Sequence, residues 1–169
     1  MAANLSQSTQ QRSHHGVSDQ HKHLVFVLAG KRFAVPIASV RRILEYQEPQ
    51  FVPMLPQDCP GIIQVSDTSV ALMDLQYRFG LGKSEKHARS GVVIVDLDIE
   101  GDSVQLGIMV DSVLHVVAIH DDDVQPVPDF GANLDKRVSR GVCRSEQAVV
   151  LDLGQLLDAS EAGKFRNVS

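Results

Sequence analysis

An acidic segment in the second half of the chain carries the side chains best suited to chemistry. It reads His120, Asp121, Asp122, Asp123, and Asp129 follows shortly after. Carboxylates beside an imidazole are typical ligands of a divalent metal ion. The spacing lacks the glycine and the terminal glutamate of a calcium-binding EF-hand loop. The sequence therefore favours a solvated acidic loop, with a ligand- or metal-binding sensor module using His120 to Asp123 as the alternative.

The other candidates for chemistry are isolated from one another. Asp96 and Asp98 alternate as solvent-facing residues of a strand do, and His115 stands alone between apolar neighbours. Cys59 and Cys143 lack the close spacing of a metal or redox pair. The sequence has no serine-hydrolase, phosphate-loop or zinc-protease motif. We therefore predict no enzyme, no catalytic residue, no cofactor and no metal, and a protein that works by contact.

Composition excludes several classes of partner. The 169 residues carry a net charge of -5, and the 16 basic residues are spread along the chain without forming a basic stripe, which argues against nucleic acid. No apolar run approaches the roughly 18 residues that cross a bilayer, and no leader is recognisable. The expected location is the cytoplasm, without direct membrane insertion.

The two ends of the chain differ in composition from its middle. Residues 1–22 are rich in Gln, Ser, Asn and His and poor in large apolar residues, which predicts a disordered tail. Order is expected to begin with a strand at Leu24 and to continue through one domain over 23–160. Residues 161–169 are assigned to a C-terminal tail, although the apolar pattern of 154–165 indicates a helix.

Turn residues divide the middle of the chain into hairpins. Apolar stretches flank Gly30, Gly101 and the polar segment 66–69, and a fourth hairpin spans 140–153. Between hairpins, Pro36 and the apolar residues that follow it at helical spacing predict a helix through Leu44. Asp111 is expected to cap a helical turn in the corresponding place of the second half.

These landmarks recur, which indicates an internal duplication. Gly101 follows Gly30 by 71 residues, Val113 follows Val40 by 73, and the two aspartates that end the closing hairpins, Asp74 and Asp152, are 78 apart. Each aspartate is expected to cap the turn after it. Two copies of such a unit predict a mainly β protein of two small five-stranded barrels, because closing a sheet removes its exposed edges.

Five segments in order resemble the CheW-type coupling proteins of bacterial chemotaxis. The likeness covers about 24–157 and rests on FVLAGKRFAVPIASVRRI, VPMLPQDCPG, GIIQVSDTSVALMDL, LGIMVDSVLHVV and RGVCRSEQAVVLDLGQLL. The resemblance implies two SH3-like barrels packed side by side, with short helices and a C-terminal helix. It also implies a non-enzymatic adaptor that couples a CheA-type histidine kinase to methyl-accepting receptors in membrane-associated arrays. An auxiliary or divergent coupler of the same kind is also compatible with this resemblance.

The resemblance also points to candidate interface residues: Val40, Arg42, Ile43, Ser66 and Asp67. The family usually has Glu at the place of Arg42, and Arg-Gly at the places of Ser66 and Asp67. If the usual Glu and Arg pair with each other, losing both costs less than leaving one charge unpaired. Asp67 is the alternative partner expected for Arg42. We therefore expect an altered receptor or kinase preference.

Overall fold

The computed structural model describes residues 19–126 and 137–166. Most of the tail predicted at 1–22 lies outside these ranges, as do Asp129 and residues 167–169. The strands are β1 Lys22–Leu28, β2 Lys31–Pro36, β3 Val40–Glu45, β4 Gly61–Val65, β5 Thr68–Met73, β6 Gly91–Ile99, β7 Asp102–Val110, β8 Ser112–Ala118, β9 Val124–Gln125, β10 Ser139–Cys143 and β11 Ala148–Leu151. The α-helices are α1 Leu75–Arg78 and α2 Ala159–Arg166.

The strands form two sheets, which correspond to the two predicted barrels. The first barrel has the strand order β8-β1-β2-β11-β10-β9, and the second has β3-β6-β7-β5-β4. The two-residue β9 has a counterpart in the second barrel, where Gln50 forms an isolated bridge to Ile62 just as Gln125 pairs with Val142. The mainly β architecture and the four predicted hairpins are confirmed.

Each barrel takes strands from both halves of the duplicated sequence. The opening hairpin β1-β2 pairs in parallel with β11 of the second half, and the closing hairpin β4-β5 pairs in parallel with β7. The edge strands are exchanged in the same way, since β3 pairs with β6 and β8 with β1. The repeat in sequence is therefore not a repeat of self-contained barrels.

The central strands are buried on both faces, which explains their nearly continuous apolar sequences. Val25 and Ile94 lie in the separate small cores of the first and second barrels. Their neighbours in sequence, including Phe26 and Val93, face a larger core shared by both barrels. Because most of the buried apolar residues belong to the shared core, the two barrels stabilise each other.

Two predicted helical segments are strands instead. Only Ile37–Ser39 forms a helical turn, of the 3-10 type, before β3 begins at Val40. Asp111 precedes β8 and accepts a hydrogen bond from the amide of Ala29, 2.8 Å away. Both segments are rich in β-branched residues and find an antiparallel partner in the opposite half, so tertiary pairing overrides the helical spacing.

The predicted C-terminal helix is divided, and it reaches further than the assigned domain end. A 3-10 turn covers Leu153–Gln155, and α2 begins at Ala159, inside the predicted domain, and extends into the predicted tail as far as Arg166. Ala162 and Phe165 are buried in the shared core, which holds this helix in place. Asp74 and Asp152 cap the turns after them, as predicted, by accepting from the amides of Tyr77 and Gly154.

Arg78 in α1 ties the central part of the chain to the C-terminal helix. Its guanidinium donates to Asp58 at 2.6 Å and to both carboxylate oxygens of Glu161 at 2.8 and 2.9 Å. It also donates to the carbonyl of Leu156 at 2.7 Å. These contacts raise the pKa of Arg78 and lower that of Glu161, so the network stays charged at neutral pH.

Candidate functional site

Arg42 and Ser66, two of the five predicted interface residues, meet at one end of the second barrel. Arg42 lies on the edge strand β3, and Ser66 opens the two-residue turn between β4 and β5. A nitrogen of the guanidinium donates to the Ser66 hydroxyl at 3.2 Å. Ser66 adopts a φ of 55°, the left-handed region that tight hairpin turns require. We call the surface around this contact the Arg42 end.

An open depression of about 320 Å³ lies between β3 and this turn. Its apolar lining comes from Val65 and Ile94. Its polar lining comes from Arg41, Arg42, Ser66, Thr68 and Gln105. The depression therefore combines an apolar part with two cationic side chains, a composition suited to a protein side chain more than to a small apolar ligand.

The charges of the two arginines are balanced differently. Arg41 forms an ion pair with Asp96 of β6. Arg42 has only the neutral hydroxyl of Ser66, and within residues 19–126 and 137–166 no carboxylate forms an ion pair with it. The expected pairing of Arg42 with Asp67 is therefore wrong, because the guanidinium bonds to the hydroxyl of the preceding residue instead.

The other three predicted interface residues occupy different environments. Ile43 is 49% exposed, an unusual fraction for a large aliphatic residue in a strand. Asp67 is exposed at the tip of the hairpin. Val40 is partly buried against the shared core. The structure thus leaves four of the five predicted residues exposed to a partner, whereas Val40 packs partly against the shared core.

The first barrel has an equivalent end, which we call the His115 end. On β8, His115 stands opposite Val25, just as Arg42 on β3 stands opposite Ile94. The His115 ring bonds to the carboxylate of Glu146, 2.7 Å away, in the turn between β10 and β11. Leu114 and Val116 beside it are 40% and 50% exposed. His115, predicted to be an isolated histidine, is therefore the counterpart of Arg42.

The acidic loop forms local contacts of its own. Asp123 accepts from the amide of His120 at 3.1 Å, and Asp121 pairs with Arg140 at 3.2 Å. In the described part of the chain, no group of three or more His, Cys, Asp or Glu side chains is arranged to hold a metal ion. No geometry in these residues supports the alternative of a metal-binding sensor.

The two cysteines are buried free thiols, as predicted. Burial raises the pKa of Cys59 to about 11, so its thiol remains protonated and unreactive at neutral pH.

Sequence reasoning missed Arg41, Gln105 and the Glu146 contact. The signal for the last was available, because aligning Val40 with Val113 places Arg42 on His115, and each precedes a closing hairpin whose turn is polar. Arg41 and Gln105 carry no such signal. They join the depression only because β3 and β7 both flank β6.

Comparison with known proteins identifies the class to which this fold and site belong. The CheW-like domain family matches residues 22–161, and the chain belongs to that family. No helix in the described ranges is long and apolar enough to cross a membrane.

The chain is similar to individual relatives over most of their length. The chain is 27% identical over 159 residues to the chemotaxis protein CheW of Treponema pallidum (strain Nichols), covering 90% of this chain and 91% of that protein. It is 26% identical over 141 residues to the chemotaxis protein CheW of Bacillus subtilis (strain 168), covering 81% and 86%. Among solved structures it is similar to the scaffolding protein TtCheW from Thermoanaerobacter tengcongensis, with a TM-score of 0.72 and 25% identity over 88% and 94% of the two chains.

The family and these relatives support a chemotaxis coupling role for this chain, as a scaffold and not as an enzyme. The resemblance and the barrel fold expected from it are both confirmed.

Proposed function

We propose that this chain couples a CheA-type histidine kinase to methyl-accepting chemoreceptors, and that it does so at membrane-associated receptor arrays. The observation that carries the proposal is the family match over 22–161, which covers both barrels and all of their shared core except Ala162 and Phe165. A rigid two-barrel body with accessible ends suits an adaptor, because two partners can be held in fixed relative positions without a conformational change.

We further propose that Val40, Arg42, Ile43, Ser66 and Asp67 set the preference for receptor or kinase. The argument rests on charge. A Glu and Arg at the places of Arg42 and Ser66 would form a neutral pair, whereas the Arg42 end carries one cation that no carboxylate among the described residues neutralises. The net charge of the three places is zero in both cases, since Asp67 carries the negative charge here, but the positions of the charges differ. A changed arrangement of charge at an interface alters which partners are repelled, and like charges brought together cost several kcal/mol.

The experiment compares the wild-type chain with the double variant Arg42→Glu plus Ser66→Arg, which introduces the pair usual in the family. Each is mixed with membranes containing receptors of the same bacterium and with its purified kinase, and the amount that co-sediments is measured. We expect wild type to be recruited and the double variant to change its relative recruitment by receptor and kinase.

Two outcomes would count against these proposals. Equal recruitment of both versions by both partners would remove the claim that the Arg42 end sets preference. Failure of the wild-type chain to bind either partner would overturn the coupling role itself. Arg89→Glu is a matched control, because Arg89 is an exposed arginine in the loop after α1, outside the depression.

A further inference from the structure

The cation of Arg42 stands out among the charged groups that line the depression. A guanidinium has five N–H donors in a rigid fork, and the Ser66 hydroxyl accepts from only one of its nitrogens. The neighbouring guanidinium of Arg41 is already bound to Asp96. Both arginines keep unused donors, but only the charge of Arg42 has no carboxylate partner among the described residues.

The immediate surroundings of Arg42 favour a carboxylate over other acceptors. Arg binds a carboxylate through two parallel N–H···O bonds, which are shorter and stronger than bonds to a neutral hydroxyl. The apolar lining from Val65 and Ile94 would be covered by the aliphatic part of an entering side chain. Covering it would exclude water and strengthen the ionic contact.

We infer that the depression at the Arg42 end is a binding site for an acidic side chain, Asp or Glu, of the protein partner. The inference rests on the proposed function and deepens it by naming the chemistry of the partner residue. The carboxylate pairs with Arg42, and the aliphatic part of the acidic side chain covers Val65 and Ile94 in the depression.

The inference explains why Arg and Ser occur together here. A Glu at 42 with an Arg at 66 would satisfy each other and leave no free charge for a partner. With Ser at 66, the arginine is oriented by a neutral hydroxyl and keeps its charge for an external carboxylate. The partner is then expected to carry an acid facing the Arg42 end.

The test measures binding of the full chain to its kinase and, separately, to receptor-containing membranes from the same bacterium. Arg42→Gln removes the charge while keeping a polar side chain, Arg42→Lys keeps the charge without the fork, and Arg89→Gln is the control. We expect Arg42→Gln to weaken binding to one partner by roughly 5- to 30-fold, as removal of a positioned interface arginine does. We expect the affinity of Arg42→Lys to lie between those of wild type and Arg42→Gln, and the affinity of Arg89→Gln to match that of wild type.

A charge exchange identifies the partner residue. Acidic residues of the affected partner are changed to Lys one at a time and tested against Arg42→Glu. We expect one such pair to restore binding that each single change weakens. Dependence of affinity on salt should also decrease in Arg42→Gln, because one screened attraction is lost.

The outcomes separate the two proposals. If wild type binds, and Arg42→Gln binds each partner as tightly as wild type does, the inference is overturned and the coupling role remains. If binding weakens but no charge exchange restores it, the carboxylate assignment is overturned. If wild type binds neither partner, both proposals fail. Arg42 is exposed, so we expect the thermal midpoint of Arg42→Gln to match wild type, which excludes unfolding as the cause.

Discussion

The two barrels share one frame but differ in how their ends are held together. At the Arg42 end a cation bonds to a neutral hydroxyl, whereas at the His115 end an imidazole ring bonds to the carboxylate of Glu146. Among the described residues, a carboxylate thus partners the side chain at this position in the first barrel but not in the second. The difference indicates that duplication preserved the strand pairing while the exposed contacts of the two ends diverged separately.

One glycine in the first strand of each closing hairpin, Gly61 in β4 and Gly141 in β10, allows a test of the strand pairing that the two barrels share. A Cβ at Gly61 would overlap the carbonyl oxygen of Gln50, and a Cβ at Gly141 would overlap that of Gln125. Because both obstacles are backbone atoms, we expect Gly61→Ala and Gly141→Ala each to lower the free energy of unfolding by about 3 kcal/mol.

Urea denaturation of each variant measures this effect. Gly163→Ala in α2 is the control, since nothing lies within 4 Å of its added Cβ. If one of the two substitutions greatly lowers the free energy of unfolding and the other leaves it unchanged, the two barrels are not equivalent at this point.

The ion-pair network of Arg78 has no equivalent at the corresponding position of the second half. Counting from the capping aspartates Asp74 and Asp152, its counterpart in the second half is Leu156, whose carbonyl it contacts. Replacing Arg78 with Met would leave Asp58 and Glu161 without their cation, and we expect a loss of about 2 kcal/mol. Thermal unfolding of Arg78→Met, compared with Arg89→Met, checks this. Equal midpoints for the two variants would show that the network contributes nothing.

A buried histidine, His23, occupies a position in the first barrel where the second barrel has a valine. It stands opposite Val117 as Val92 stands opposite Leu44 in the second barrel. Its Nδ1 bonds to the carbonyl of His21, and its buried Nε2 has no partner in the described ranges. Burial lowers the pKa of His23 below its ordinary value of 6.5.

The sign of the resulting pH dependence follows from that direction. Between 6.5 and the lower folded-state pKa, the unfolded chain binds more protons, so stability falls as the pH drops below about 6.5 and levels off beneath the folded-state pKa. We expect His23→Val to reduce this loss. Thermal midpoints of both proteins at neutral and mildly acidic pH provide the measurement, and identical slopes would contradict the prediction.

Local pattern was sufficient to predict the hairpins but not their pairing. Alternation and turn residues specify β1-β2 or β4-β5 through contacts close in sequence. The choice between pairing β5 with β7 or with β2 leaves every local pattern unchanged, so the exchange between halves was not predictable. The spacing of Ile37, Val40 and Leu44 fits a helix, and only their distant partner strand decides against it.

The candidate site was predicted from the family resemblance and only partly from physics. Arg42 and Ser66 were chosen because they depart from the usual residues, and the structure brings them within hydrogen-bond distance. That Ser66, and not Asp67, receives the bond depends on the geometry of the turn. His115 and Glu146 are 31 residues apart, and their contact depends on β8 and the β10-β11 turn meeting at one end of the first barrel.

The exchange of strands makes the folded chain comparable to a domain-swapped dimer whose two subunits have been fused into one polypeptide. Neither half contains a complete barrel, so each half made alone would expose its side of the shared core. A chain cut in the loop at 80–90 would have to reassemble by fragment complementation. During synthesis, β10 and β11 must leave the ribosome before the first barrel can close, so β1 and β2 are expected to wait unpaired with their neighbour until the second half has been made.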